Sequence, residues 1–343
     1  MIFYLIFLVL LLIIGCSIRQ NNNNPLNVQE TDAIKGLGIL IVFVDHIRGY
    51  FNANNSDLLV YESYTLIAFQ LATTLMVGMF LFFSGYGVTL SIINKGDMYV
   101  KTMPQKRLLT TLFNFDIAVV VFLSADLLLN ILYPPLHVGL SLVGWESIGN
   151  SNWYIFAILC CYLFSFISSI FFSKIIYAAC LTSFFVIVYI IVLSLFKEPW
   201  WYNTIIGYVG GMWYAIFKEH INSFLNRNYG KILLLIICAF CTFFRFSSNF
   251  IACNISVLLF GLLLVLFSMR ISLSNRFLIW CGKHLFPLYI YQRLPMLVIS
   301  VMFSQFVTAH PYCYFLICLA ITLIIAKWMP QFKFNQISRK ASL

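Results

Sequence analysis

The chain is 343 residues long, 62% of them hydrophobic and only 9% charged, with a formal net charge of +10. A soluble domain of this length needs a charged surface that so few charged residues cannot supply. Apolar runs this long must satisfy their backbone internally, which in lipid means helices, and the period-two alternation of a membrane β-barrel is missing. Composition therefore predicts an all-α fold, a polytopic transmembrane helical bundle of about ten core spans plus one extra N-terminal hydrophobic helix.

In chain order, eleven runs approach the ~20 residues that a bilayer requires. They cover roughly 2–18, 36–53, 66–94, 108–133, 153–172, 175–195, 203–217, 232–248, 250–268, 284–303 and 312–328. The predicted organisation is a hydrophobic helix (1–18), a polar linker (19–34) with an Asn run and Pro25, one membrane domain (35–330) and a basic tail (331–343). Ile13-Ile14-Gly15-Cys16 resembles a lipoprotein cleavage box. No basic residue precedes the first run, however, and Arg19 follows it, which favours an uncleaved helix with its N-terminus outside.

The basic residues orient the remaining spans. If the second span runs outward, 17 of the 21 Lys and Arg fall in cytoplasmic segments, among them Lys35, Lys95, Lys101, Lys106, Arg107, Lys283 and the tail. The reversed topology inverts that count, so the expectation is a multi-pass protein of the cell (inner or plasma) membrane with a cytoplasmic C-terminus. The charge is topogenic first and an anion-binding surface second, and it gives no support for nucleic-acid binding. Ten cysteines fall almost wholly inside apolar runs. Cys238 and Cys241 form a CxxC, but no second pair or nearby His completes a metal site, and no HExxH, DxD, P-loop or Rossmann fingerprint occurs. The sequence thus predicts no metal and no permanently bound cofactor.

Ionisable residues at membrane depth are expensive and are functional candidates by default. The second span carries Lys35, Asp45, His46 and Arg48. Lys35 and His46 are eleven residues apart, about three turns, so they share a helix face at a separation of roughly 16 Å. A neutral imidazole at that depth can take a proton from an attacking hydroxyl if a partner fixes its tautomer. Asp45 and Arg48, three residues apart, either neutralise each other or serve the site. Asp116 and Arg293 sit at similar depths in spans of the same direction. The expectation is that these helices meet, with Arg293 paired to Asp116 or Asp45 and a carboxylate orienting His46.

These residues resemble the acyltransferase 3 family of membrane acyltransferases. That family places a basic residue, usually Arg, and a His ten intervening residues apart on an early span, and here Lys35 stands in the Arg position. Phe82-Phe83-Ser84-Gly85-Tyr86-Gly87 resembles its FxSGY segment, and Asn152-Trp153-Tyr154-Ile155 the start of a middle span. Trp280-Cys-Gly282-Lys283-His-Leu-Phe-Pro287-Leu-Tyr289-Ile-Tyr291 resembles its late LGxxSxxxYLxH segment, with Gln292 where the family commonly has His. The resemblance runs from about 30 to 330 and leaves the first helix as an addition.

The resemblance implies transfer of an acyl group, most simply acetyl, from cytoplasmic acyl-CoA to a hydroxyl of a cell-surface polysaccharide or lipid-linked glycan. Acetyl-CoA or another acyl-CoA is then donor substrate, the bilayer and a glycan acceptor are partners, and homo-oligomerisation is open. His46 is the expected base with Asp45 beside it, while Lys35, Arg48, Ser84, Tyr86, Asp116 and Arg293 are expected to contact substrate. The Ser84–Gly87 glycines are read as a break in a run too long for one span, lining a cavity for the donor's pantetheine arm. The competing class is a transporter or flippase for a glycan or glycolipid, which would show inverted repeats and paired broken helices.

Overall fold

The computed structural model describes residues 1–18, 25–56, 58, 60–329, 331 and 332. Residues 19–24 of the predicted linker and all but the first two of the basic tail lie outside the described residues.

The first apolar run is a helix for only part of its length. α1 (Ile2–Gly15) gives way to a three-residue strand β1 (Cys16–Ile18), paired antiparallel with β2 (Ile271–Leu273). At 14 residues α1 falls short of a full bilayer crossing, and it packs on the bundle through Tyr4, whose hydroxyl donates to the Leu40 carbonyl at 3.2 Å.

α2 (Val28–Ala53) begins eight residues before the predicted start, so the second half of the expected linker is helical. Asn27 is the reason: its side chain accepts from the Glu30 N–H at 3.0 Å, an N-cap of the kind that starts a helix wherever the sequence supplies one. α3 (Val60–Lys95) follows as a single helix of 36 residues. The predicted break at Ser84–Gly87 is not there. At roughly 1.5 Å per residue α3 is about 54 Å long, enough to cross the ~30 Å hydrocarbon and project beyond it.

The next rod, Asp97–Leu128, joins α4 (Asp97–Met103), a π-helical turn (Pro104–Leu109) and α5 (Thr110–Leu128). Pro104 cannot donate to the preceding turn, and the local re-winding carries Lys106 and Arg107. Then come α6 (Pro135–Leu142), α7 (Trp153–Phe171), α8 (Ile175–Ser194), α9 (Ile206–Arg227), α10 (Tyr229–Arg245) and α11 (Phe250–Arg270). The chain ends in α12 (Arg276–Lys283), α13 (Leu285–Tyr291), α14 (Arg293–Met302), α15 (Ser304–Ala309) and α16 (Pro311–Trp328).

All eleven predicted runs fall on helices. Among the described residues, seven are long and apolar enough to cross a membrane, or eight if the pair Pro199–Arg227 and Tyr229–Arg245, bent by 103°, is one span. α2 misses that apolarity because Asp45, His46, Arg48 and Asn52 dilute it. It sits instead against α3, α12, α13, α14 and α16, where its polar groups need not meet lipid.

Glycine sets how closely these helices approach. A Cβ on Gly85 would overlap the Tyr208 carbonyl oxygen of α9, and one on Gly211 the Phe82 carbonyl of α3. The same relation holds between Gly36 and Leu278, and between Gly282 and Asp32, across α2 and α12. Backbone-to-backbone packing of this kind is how small residues associate helices in lipid. The glycine in the Phe-rich segment of α3 therefore docks α9 and does not interrupt the helix.

Candidate active site

A cavity of about 730 Å³ opens where α2, α3, α7, α12 and the π-turn converge. Its lining brings together Lys35, Lys95, Lys106, Arg107 and Lys283, five cations drawn from segments far apart in the sequence. Along α3 it runs from Phe80 to Lys95, fifteen residues or roughly 22 Å. Tyr86 lies on the same wall, its ring centroid 5.5 Å from that of Tyr214 on α9. The far end is aromatic, formed by Phe80, Tyr154 and Tyr289.

Lys35 faces this cavity and forms an ion pair with Asp32, one turn earlier, at 2.7 Å. Arg107 is held rather than free: its Nε donates to the Tyr99 hydroxyl at 3.1 Å and its guanidinium lies 5.8 Å from the centre of the Tyr162 ring. Lys95, Lys106 and Lys283 are exposed at the mouth. Cation density at one end and an apolar, hydroxyl-bearing throat at the other suit an elongated ligand with a polyanionic head and a thin neutral tail.

His46 lies just past the throat. Its ring centroid is 6.1 Å from that of Tyr289, which itself packs at 5.1 Å against Tyr154. Ser84 sits beside the Tyr154 hydroxyl, so Ser84, Tyr154, Tyr289 and His46 form a continuous row from α3 through α7 and α13 to α2. Nδ1 of His46 is buried and has no hydrogen-bond partner among the described residues. The predicted carboxylate orienter is not in place: Asp45, adjacent in sequence, points elsewhere on the helix and accepts from Arg48 Nε at 3.0 Å. Arg48 is thereby also committed to Asp45.

The three helices expected to meet at mid-depth do meet, since α13 and α14 pack on both α2 and α5. The expected ion pair does not form. Arg293 Nη1 donates to the carbonyl of Asn150 at 3.3 Å, its guanidinium lies 5.9 Å from the Tyr50 ring centroid, and its Nε is buried without a partner among the described residues. It stays within electrostatic range of both His46 and Tyr289. Asp116 on α5 keeps one buried oxygen without a partner and does not line the cavity. A carbonyl outcompeted both carboxylates because the loop bearing it is brought directly to Arg293.

That loop, 143–152, is the part of the site that the sequence reading missed. Gly144 and Gly149 adopt positive φ (77° and 88°), conformations that glycine reaches freely, and they fold the segment inward. Ser147 Oγ donates to the Asn150 carbonyl at 2.9 Å, and Asn152 Nδ2 to that of Gly144 at 2.9 Å. From outside, Lys197 Nζ donates to the Trp145 carbonyl at 3.0 Å and sits 4.3 and 4.7 Å from the ring centres of Trp145 and Trp201. Asn150 and Ser151 are almost fully buried, and Ser151 Oγ lies beside the Tyr289 hydroxyl. The polar Gly-Asn-Ser-Asn run before Trp153 was the available signal. Tyr154 and Tyr289 sat inside quoted motifs, but their hydroxyls were not singled out.

No curated protein and no solved structure matches the chain. A family model described as an acyltransferase domain matches residues 28–329, from the first turn of α2 to just past the end of α16. The chain belongs to the acyltransferase 3 family and is a helical membrane acyltransferase.

Proposed function

We propose that the protein transfers an acyl group, most simply acetyl, from cytoplasmic acyl-CoA to a hydroxyl of a cell-surface polysaccharide or lipid-linked glycan, with His46 as general base. The observation that carries this reading is the cavity whose cation-rich mouth narrows to Ser84, Tyr154 and Tyr289, with the half-buried His46 just beyond Tyr289. Phosphates of the donor's nucleotide end suit Lys95, Lys106 and Lys283, with Lys35 and Arg107 deeper. The pantetheine arm follows the aromatic wall and presents its thioester beside His46.

The acceptor oxygen attacks the thioester carbonyl carbon as its proton passes to a nitrogen of His46. Collapse of the adduct breaks the carbon–sulfur bond, the electron pair leaves on sulfur, and the histidine returns its proton to the thiolate. The acceptor's hydroxyl proton ends on the CoA thiol as the acyl group passes the other way, so the exchange is electroneutral and needs no separate ion pathway. Arg48 and Asp45 neutralise one another within α2, and in this scheme neither moves a proton.

Mass spectrometry of surface glycans from cells with the protein, without it, and with His46→Ala tests the proposal. Ester-linked acyl groups present only with the wild-type chain support transfer. Unmodified glycan whose export is lost without the protein, with His46→Ala behaving as wild type, would support the flippase instead.

A further inference from the structure

Five buried tyrosine hydroxyls in this bundle are paired. Tyr4 donates to the Leu40 carbonyl, Tyr189 to that of Trp201, Tyr214 to Asn222 and Tyr314 to the Met296 carbonyl, while Tyr208 bonds Ser165. Tyr289 breaks the pattern: its residue is 2% exposed, yet among the described residues its hydroxyl has only Ser151 Oγ beside it and no well-formed hydrogen bond. Leaving a buried hydroxyl unpaired costs stability, and such groups in folded proteins call for an explanation.

The position supplies one. Tyr289 lines the inner end of the cavity and its ring is 6.1 Å from that of His46. Behind it, Ser151 Oγ, Asn150 Nδ2 and Arg293 Nε are likewise buried and unpartnered. The neighbouring hydroxyls of Tyr289 and Ser151, with the Arg293 guanidinium, therefore gather next to the candidate base with capacity to donate left over. A phenol remains protonated at neutral pH and is a donor that needs no reorganisation when charge develops. Packing alone does not account for the hydroxyl, because a phenylalanine would make the same edge-on contact with Tyr154.

We propose that the Tyr289 hydroxyl is the oxyanion donor of the transfer reaction, with Ser151 beside it; this rests on the acyl-transfer reading above. As the acceptor oxygen bonds to the thioester carbon, the carbonyl electron pair moves onto its oxygen, and the Tyr289 O–H donates to that oxygen. The pair returns when the carbon–sulfur bond breaks, and His46 delivers its proton to the departing sulfur. Tyr289 holds its own proton throughout. On this account it is a catalytic residue, and its contribution lies in kcat, because the charge it meets exists only in the transition state.

The experiment compares wild type, Tyr289→Phe, Ser151→Ala and His46→Ala for acyl transfer from labelled acetyl-CoA, alongside equilibrium binding of a non-reactive acetyl-CoA thioether. Tyr289→Phe is expected to lower kcat about 100-fold, the scale of removing one oxyanion donor. KM for acetyl-CoA and thioether affinity should stay within about twofold. Ser151→Ala should lower kcat by roughly tenfold or less. Tyr289→Phe with kcat within about threefold of wild type, while His46→Ala is inactive, overturns the oxyanion role and leaves the transfer reading standing. Loss of thioether affinity in Tyr289→Phe, together with turnover, assigns the tyrosine to donor binding or folding and also overturns it. A wild-type protein that transfers no acyl group removes both readings.

Discussion

Substituting alanine at Gly85 and at Gly87 separates a glycine that packs from one that does not, two residues apart on the same helix. A Cβ at Gly85 would overlap the Tyr208 carbonyl oxygen and lie 2.9 Å from its carbon and 3.2 Å from the Met212 nitrogen. All three atoms are α9 backbone, so nothing flexible can give way, and α3 and α9 must part by on the order of 1 Å. Overpacking of that kind costs about 1–3 kcal/mol, against a helix-propensity gain of up to about 1 kcal/mol for Gly→Ala. At Gly87 a Cβ meets nothing within 4 Å, so only the gain applies. Gly85→Ala should therefore lower the thermal midpoint of the detergent-solubilised protein, and Gly87→Ala should hold or raise it. Because Ser84 adjoins Gly85 on the cavity wall, a displacement of about 1 Å should also reduce acyl transfer by up to ~100-fold. Equal stability of the two variants would refute the close α3–α9 approach and revive a broken helix at Ser84–Gly87.

Lys35→Met should raise KM for acetyl-CoA roughly five- to tenfold with kcat little changed, as one cation is lost and Asp32 is left facing the cavity. Lys35→Arg should restore the wild-type value, and steady-state kinetics of the two variants decides it. Asp45→Asn removes a partly exposed ion pair with Arg48, so it should cost at most about 1 kcal/mol and leave turnover within about threefold. The same turnover is expected for Asp116→Asn, since Arg293 engages Asn150 and not this carboxylate; a tenfold loss in either would restore the carboxylate-orienter idea. Arg293→Met leaves the Asn150 carbonyl held by Ser147 alone, and hydrogen exchange across 143–152 should quicken while the rest of the bundle is unchanged.

The bundle was legible in the sequence because lipid leaves the backbone so few choices, and every predicted run is helical over most of its length. Where expectation and structure part, local chemistry explains it. Asn27 caps α2 early, which no hydropathy pattern records. The Phe-rich glycine segment read as a break because the sequence does not show which glycine meets another backbone, and here Gly85 meets α9. The cationic segments, Lys35 among them, projected directly into one cavity with His46 just beyond it, since helical periodicity and basic loops are local signals. Arg293 could not be paired correctly by depth alone. Its partner is a main-chain carbonyl on a loop shaped by Gly144 and Gly149, and a carbonyl has no letter in the sequence.

Purified protein in proteoliposomes, with labelled acetyl-CoA on the side of the exposed Lys95, Lys106 and Lys283 and a glycan acceptor on the other, tests the central claim most directly. The account predicts label in ester linkage to the acceptor with wild-type protein and background label with His46→Ala. Equal labelling by His46→Ala, or transfer only when donor and acceptor share one side, would contradict it.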